Sequence, residues 1–181
     1  MKKKIYYWSP YLTPIATSKA VMNSASSLMK FDKTYKSYLF NFFGEFSKHK
    51  KEIFKKKIEL LSLYKINLVK FLPSEGKIKS RLSFILMFLI GFFPLKKILK
   101  AHQPDYLIAH LISSLPLVLL IIFNFKTKFI LRISGYPKMN LFRRTLWKKA
   151  FKKIHLVTCP TQNTLDYLKK FDLIEESKLK L

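Results

Sequence analysis

The chain has 181 residues and a mass of 21.5 kDa, enough for one domain over residues 1–181. Apolar residues make up 49% and charged residues 25%, which excludes a disordered chain. Ten carboxylates against 35 Lys and Arg argue against a dense acidic metal site, and one cysteine excludes an internal disulfide.

The net charge of +25 attracts phosphate, on nucleic acid, lipid headgroups or nucleotides. Arginine stands only at Arg81, Arg132, Arg143 and Arg144; the other cations are lysine. Lysine is a mobile point charge, whereas arginine grips phosphate and guanine with a planar fork. The lysine excess suits an anionic membrane surface, which needs no fixed geometry. An AT-rich genome, which raises Lys, Phe, Ile, Tyr and Asn together, explains the same excess. No recognition-helix signature, RNA-binding aromatic motif or zinc spacing accompanies the charge, so no nucleic-acid partner is expected.

In chain order, Lys3–Trp8 reads as a strand, and Pro10 and Pro14 force a loop. Ser18 is placed to cap a helix over Lys19–Lys30. Tyr38–Phe43 reads as a second strand. Lys48–Leu63, with Ile53, Phe54, Ile58 and Leu61 at helical spacing, reads as a helix. Asn67–Leu72 reads as a third strand, and Ile78–Ala101 as a helix broken or kinked near Gly91 and Pro94.

The second half is more regular. Strands are expected at Asp105–Leu111, Lys128–Ile133 and Leu156–Cys159. Helices are expected at Ser113–Phe123, Phe142–Ile154 and, capped by Thr161, Gln162–Phe171. Lys178–Leu181 reads as the start of another strand. Such alternation predicts an α/β Rossmann-like sandwich with a mostly parallel sheet. The apolar strand around Leu107-Ile108-Ala109 suits a sheet covered on both faces.

The apolar runs Leu82–Leu95 and Leu111–Phe125 each fall short of the roughly 18–20 residues that cross a bilayer, and read as buried or interfacial helices. The lysines after Met1 lead into no continuous apolar stretch, so a signal peptide is not expected.

Ligands of parallel sheets bind beyond the carboxyl ends of the strands. That places the candidate site in four segments: Ser9–Ser18, the His110 region, Ser134–Asn140 and Pro160–Asn163. His110 ends a strand, where it serves either as acid, base or hydrogen-bond donor, or as a histidine merely satisfied at the sheet rim. Gly135 would let the backbone approach a ligand closely. Asn140, Arg143 and Arg144 open a helix whose N–H groups favour anions. The same segment also reads as an ordinary strand-to-helix turn. Cys159 reads as a buried structural thiol, and His102 as lying on the opposite, structural side.

Pro104-Asp105-Tyr106-Leu107-Ile108-Ala109-His110, then Leu115-Pro116, then Ile130-Leu131-Arg132-Ile133-Ser134-Gly135-Tyr136-Pro137, resemble the amino-terminal half of a family 4 glycosyltransferase. Trp147-Lys148-Lys149 and Val157-Thr158-Cys159-Pro160-Thr161 extend the likeness. The resemblance implies one half of a GT-B architecture and retaining sugar transfer without a metal or cofactor. It makes this half the acceptor side of the cleft. It implies a catalytic position for His110, near the transferred sugar, and puts Ser134 and Gly135 beside the acceptor. Arg132, Tyr136, Asn140 and Thr161 join them as expected substrate-binding residues.

The expected partners are a nucleotide-sugar, held by a second domain, and a glycan or lipid-linked acceptor, with an anionic membrane surface as a further candidate. Pro14-Ile15-Ala16-Thr17 stands where the family often has glycines near the donor phosphates, and the chain ends at Leu181, near the expected linker. The family's carboxylate pair and phosphate-binding cations would lie beyond it. The domain is therefore expected to be incomplete at its carboxy end and located in the cytoplasm, peripheral on the inner membrane face. A non-catalytic glycan- or partner-binding fragment is the alternative reading.

Overall fold

A computed structural model of the chain describes residues 2–13, 16–73 and 76–181. Seven strands form one sheet: β1 (Lys3–Trp8), β2 (Tyr35–Asn41), β3 (Glu59–Ser62), β4 (Tyr106–Ala109), β5 (Lys128–Arg132), β6 (Leu156–Thr158) and β7 (Leu179–Lys180). Their spatial order is β3-β2-β1-β4-β5-β6-β7, and every neighbouring pair is parallel. The helices are α1 (Ala16–Phe31), α2 (Lys50–Lys55), α3 (Lys77–His102), α4 (Ser114–Ile122), α5 (Leu141–Phe151) and α6 (Gln162–Lys169). The expected Rossmann-like α/β sandwich is what the chain forms.

Successive side chains of a strand point to opposite faces, and β1 shows the consequence. Tyr6 and Trp8 enter one core with Phe40, Phe42, Phe43 and the buried residues of α3 to α6. Ile5 and Tyr7 enter a second core with Val21, Met22 and Ala25 of α1 and Ile53 of α2. Trp8 meets Phe40, Phe42 and Phe43 edge-on, at ring separations of 6.0, 5.6 and 6.3 Å. Such geometry sets the positive ring edge against the negative face. Coverage of the two faces is unequal along β4: Leu107 and Ala109 are buried, but Tyr106 and Ile108 only half-buried.

Three expectations are corrected. The segment read as one helix over Lys48–Leu63 holds a short 3-10 turn, α2 and then β3. Lys57, in the left-handed region at φ 57°, ends the helical stretch, and Leu60 and Leu61 pair with Leu39 and Phe40 of β2. Helical spacing of apolar residues is overridden there by a sheet edge. The segment read as a strand over Asn67–Leu72 is instead a 3-10 turn at Leu68–Phe71, and Val69 N–H donates to the Phe43 carbonyl at 3.0 Å. Finally, α3 runs unbroken past both Gly91 and Pro94 for 26 residues. Pro94 removes one donor from the helix ladder, but the turns around it hold. Gly91 lies where a Cβ would meet a Leu115 methyl at 2.9 Å and the Phe43 ring at 3.3 Å, so it lets α3 sit close on the aromatic core.

Smaller differences concern element ends. α1 begins before Ser18, which is buried within its first turn rather than capping it. The Pro14-Ile15 part of the first loop lies outside the described residues. β7 is the start of a strand expected near the end of the sequence.

The docking of residues 67–72 depends on Gly44. Its φ is 83°, and a Cβ there would stand 2.6 Å from the Asn67 Cα. Both the backbone conformation and the backbone contact exclude a side chain. Gly44→Ala is therefore expected to lower stability by about 1–3 kcal/mol, read by urea denaturation; an unchanged midpoint would contradict this packing.

Candidate functional site

The chain leaves β1 toward β2 and β3, returns through α3, and restarts at β4 on the other side of β1. The loops after β1 and β4 therefore part in opposite directions, and a crevice opens between them. The two strands stay joined to their ends: Trp8 pairs with Ala109, and the His110 N–H donates to the Trp8 carbonyl at 2.9 Å. Above this point lies a cavity of about 730 Å³. Its walls come from Pro10–Thr13 after β1, His110–Ser114 after β4, Leu131–Pro137 at the end of β5, and the start of α5. Ser80 and Phe84 of α3 close one side.

The cavity gathers five of the six expected substrate-binding residues, together with His110. Arg132, Ser134, Gly135, Tyr136 and Asn140 all line it. Thr161 does not. Its hydroxyl accepts from the Thr164 N–H at 3.3 Å and so caps α6, which accounts for it structurally. The Pro160–Asn163 segment contributes nothing to the cavity wall.

His110 is 7% exposed, and its Nε2 has no hydrogen-bond partner among the described residues. Ser9 Oγ, at the end of β1, is buried in the same state. Burial, with the Arg132 charge adding to it, pushes the His110 pKa down to about 3. The ring is thus neutral at physiological pH. A neutral imidazole can donate or accept a hydrogen bond but carries no positive charge.

Arg132 ends β5 and reaches across to α1, donating from Nη1 to Ser24 Oγ at 3.4 Å. Asn140 is the N-cap of α5, its side chain accepting from the Arg143 N–H at 2.9 Å. That bond engages the amide oxygen within the fold. Arg143 donates to the Lys138 carbonyl at 2.8 Å and lies over the Trp147 ring at 5.8 Å. Tyr136 stands at the rim, edge-on to Tyr167 at 5.3 Å. A Cβ at Gly135 would meet nothing within 4 Å, so no crowding within the fold demands glycine at that position.

Several wall residues are not among the expected site residues, although Tyr11 lies in the Ser9–Ser18 segment and Trp147 in the run that extends the family likeness. Tyr11, Ser113, Ser114, Phe84, Phe142 and Trp147 all face the cavity. They arrive there from three separate elements and one long crossover helix, a grouping that no local motif announces. Ile112 adds a backbone signal: its φ is 45°, rare for a β-branched residue and costing on the order of 1–3 kcal/mol. The Trp8 indole N–H holds its carbonyl at 3.2 Å.

Among the described residues the wall contains no carboxylate and two cations, Arg132 and Arg143. Among the described residues no cluster of His, Cys, Asp or Glu could hold a metal. The arrangement can attract an anion, stack an apolar ring face and offer several hydroxyls. Cys159 is buried, as expected of a structural thiol. His102 sits where α3 leads into the start of β4, away from the cavity, with its Nδ1 2.7 Å from the Tyr6 hydroxyl.

Below the first loop lies Glu45, buried, its carboxylate accepting from the Phe43 N–H at 2.9 Å. Burial raises its pKa to about 7, and its charge adds to the burial that pushes the neighbouring Tyr11 up to about 12. The folded chain therefore holds this proton more tightly than the unfolded chain does. The stabilisation is complete below the ordinary carboxylate pKa and is lost as pH rises through about 7. Glu45→Gln, which mimics the protonated form, should exceed the parent in stability by up to about 3 kcal/mol near pH 8, with the gap closing by about pH 4. Urea titrations of both proteins at the two pH values check this; a constant gap would contradict the burial of an ionising group.

The chain is similar in structure to a glycosyltransferase from Rickettsia africae ESF-5, with a TM-score of 0.64 and 14% identity over 98% of this chain and 42% of that one. It is also similar to the glycotransferase of kitacinnamycin, with a TM-score of 0.61 and 9% identity over 99% of this chain and 51% of that one. No family profile and no curated protein matches the sequence. The chain thus spans about half, or less, of the length of these two proteins. At such identities the likeness speaks for architecture: this chain has the Rossmann-like α/β fold found within glycosyltransferases.

Proposed function

We propose that the chain is the acceptor-side half of a retaining GT-B glycosyltransferase of family 4 type. It would act on a glycan or lipid-linked acceptor, as in the assembly of cell-surface polysaccharide, with the nucleotide-sugar held mainly by a second domain. The observation that carries this reading is the cavity at the switch point between β1 and β4, lined by a neutral His110 whose buried Nε2 has no partner among the described residues. Sugars are bound by hydroxyl-directed hydrogen bonds combined with apolar ring contacts. Ser113, Ser114, Ser134 and Tyr136 supply the first, and Phe84, Phe142 and Trp147 supply the second.

In this reading His110 is the residue beside the reacting sugar. Its neutral ring accepts from or donates to a sugar hydroxyl and fixes the orientation of the pyranose. Arg132 and Arg143 draw in a phosphate. α4 begins at the same wall, and its Ser113 side chain makes no cap bond, so first-turn N–H groups add to that attraction. Among the described residues no carboxylate lines the cavity, and in this reading the second domain stabilises an oxocarbenium-like transition state. That absence also favours the second reading, a fragment that binds glycan and pairs with a separate donor half.

The two halves of the proposal are tested together. Binding of nucleotide-sugars, sugar phosphates and oligosaccharides is followed by the fluorescence of Trp147, which lines the cavity. At least one sugar ligand is expected to bind, and His110→Ala to weaken it by roughly tenfold, the value of one lost hydrogen bond. Hydrolysis or transfer from a nucleotide-sugar by the chain alone is expected to stay at background. Turnover by the chain alone would contradict the division of labour, and no sugar binding at all would contradict the site.

A further inference from the structure

α3 buries one narrow stripe and leaves another bare. Ser83, Met87, Gly91, Leu95 and Leu99, each four residues apart, face the protein. Ile78, Leu82, Ile85, Leu89 and Phe93, spaced by four, three, four and four, fall together on a different face. They are 84%, 51%, 57%, 61% and 70% exposed. Five large apolar side chains in line on a helix surface form a patch that water disfavours.

The charges on the same helix name what covers the patch. No Asp or Glu occurs between Lys77 and His102. Lys79 and Arg81 flank the stripe at one end, and Lys96, Lys97 and Lys100 at the other. Among the described residues none of these cations forms an ion pair. At the second end Phe93, Pro94, Ile98 and the three lysines surround an apolar groove of about 890 Å³. An apolar floor ringed by ammonium groups matches an acyl chain beneath an anionic headgroup. A second copy of a chain carrying +25 would bring like charges together on this face.

The helix as a whole is long and apolar enough to cross a membrane, and the residues flanking Leu82–Leu95 do not end it. Its buried stripe, however, packs on the aromatic core and on α4, so a crossing would tear it from the fold. Lying on the surface leaves that packing intact.

We propose that the outer face of α3 docks on an anionic lipid bilayer, with the stripe from Ile78 to Phe93 at the acyl boundary and Lys96, Lys97 and Lys100 on lipid phosphates. The stripe begins at the end of α3 that reaches the cavity, whose wall includes Ser80 and Phe84 of that helix. Docking therefore holds the cavity mouth near the lipid surface. In the glycosyltransferase reading, on which this last step rests, the acceptor is a lipid-anchored sugar.

Vesicle sedimentation tests the docking without any sugar. Binding is expected to vesicles of mixed phosphatidylglycerol and phosphatidylcholine, to fall with salt, and to be much weaker to phosphatidylcholine alone. Replacing Lys96, Lys97 and Lys100 with Gln should weaken it by roughly 100-fold. Leu89→Ser with Phe93→Ser, both exposed, should also weaken it, and both variants should keep the parental circular dichroism, although Lys96 and Lys100 also lie over the Phe123 ring. Equal binding to both vesicles, binding to neither, resistance to carbonate extraction, or a dimer broken by the Leu89 and Phe93 changes would each overturn the proposal. Vesicle binding without sugar binding would sink the functional reading alone, and the reverse would sink the docking alone.

Discussion

The hydrogen bond from the His110 N–H to the Trp8 carbonyl joins the two strands on which the rest of the structure depends. To one side of β1 the sheet grows to β2 and β3; to the other it grows from β4 to β7. A parallel sheet built outward from its middle must open a crevice where its loops diverge. Here the crevice opens beyond the paired Trp8 and Ala109, and one imidazole lines it. The same burial that holds this ring in place keeps it uncharged. Architecture and the chemistry of the site are one constraint.

A second constraint follows from the first. Returning from β3 at one edge to β4 beyond β1 takes a crossover longer than a neighbouring connection needs. α3 supplies 26 residues, a helix roughly 40 Å long. A rod of that length cannot bury its circumference against so small a sheet. Its inner stripe closes on Trp8 and Phe43 through Gly91, and its outer stripe is left in apolar residues rather than polar ones. Had the helix only to bridge two strands, lysine and glutamate would serve on that face. The lysines are instead gathered at its two ends.

Most of the fold is legible in the sequence because parallel strands buried between helices are written as short apolar runs punctuated by turns. β1, β4, β5 and β6 are found that way. β3 is missed because Ile53, Phe54, Ile58 and Leu61 satisfy a helical period by coincidence, while Lys57 breaks it without being glycine or proline. Asn67–Leu72 has strand composition, yet it is spent on packing against Gly44. In the site, His110 and the segment from Arg132 to Asn140 can be found because ligands of such sheets gather at carboxyl strand ends. Thr161 occupies an equivalent place in sequence, but its hydroxyl is engaged as a cap. Phe84 and Ser80 reach the cavity from a helix that, by sequence, belongs to the other half of the fold. No pattern of spacing could have placed them there.

The proposed site depends on an imidazole at position 110 that is buried, neutral and unpartnered at Nε2 among the described residues. Histidine-selective NMR across an acid titration reads this directly. The His110 resonances are expected to hold the neutral form as pH falls through the ordinary histidine range, protonating only near pH 3 if the fold survives. Titration near the ordinary value of about 6.5, as for a histidine at a solvated sheet rim, would contradict it.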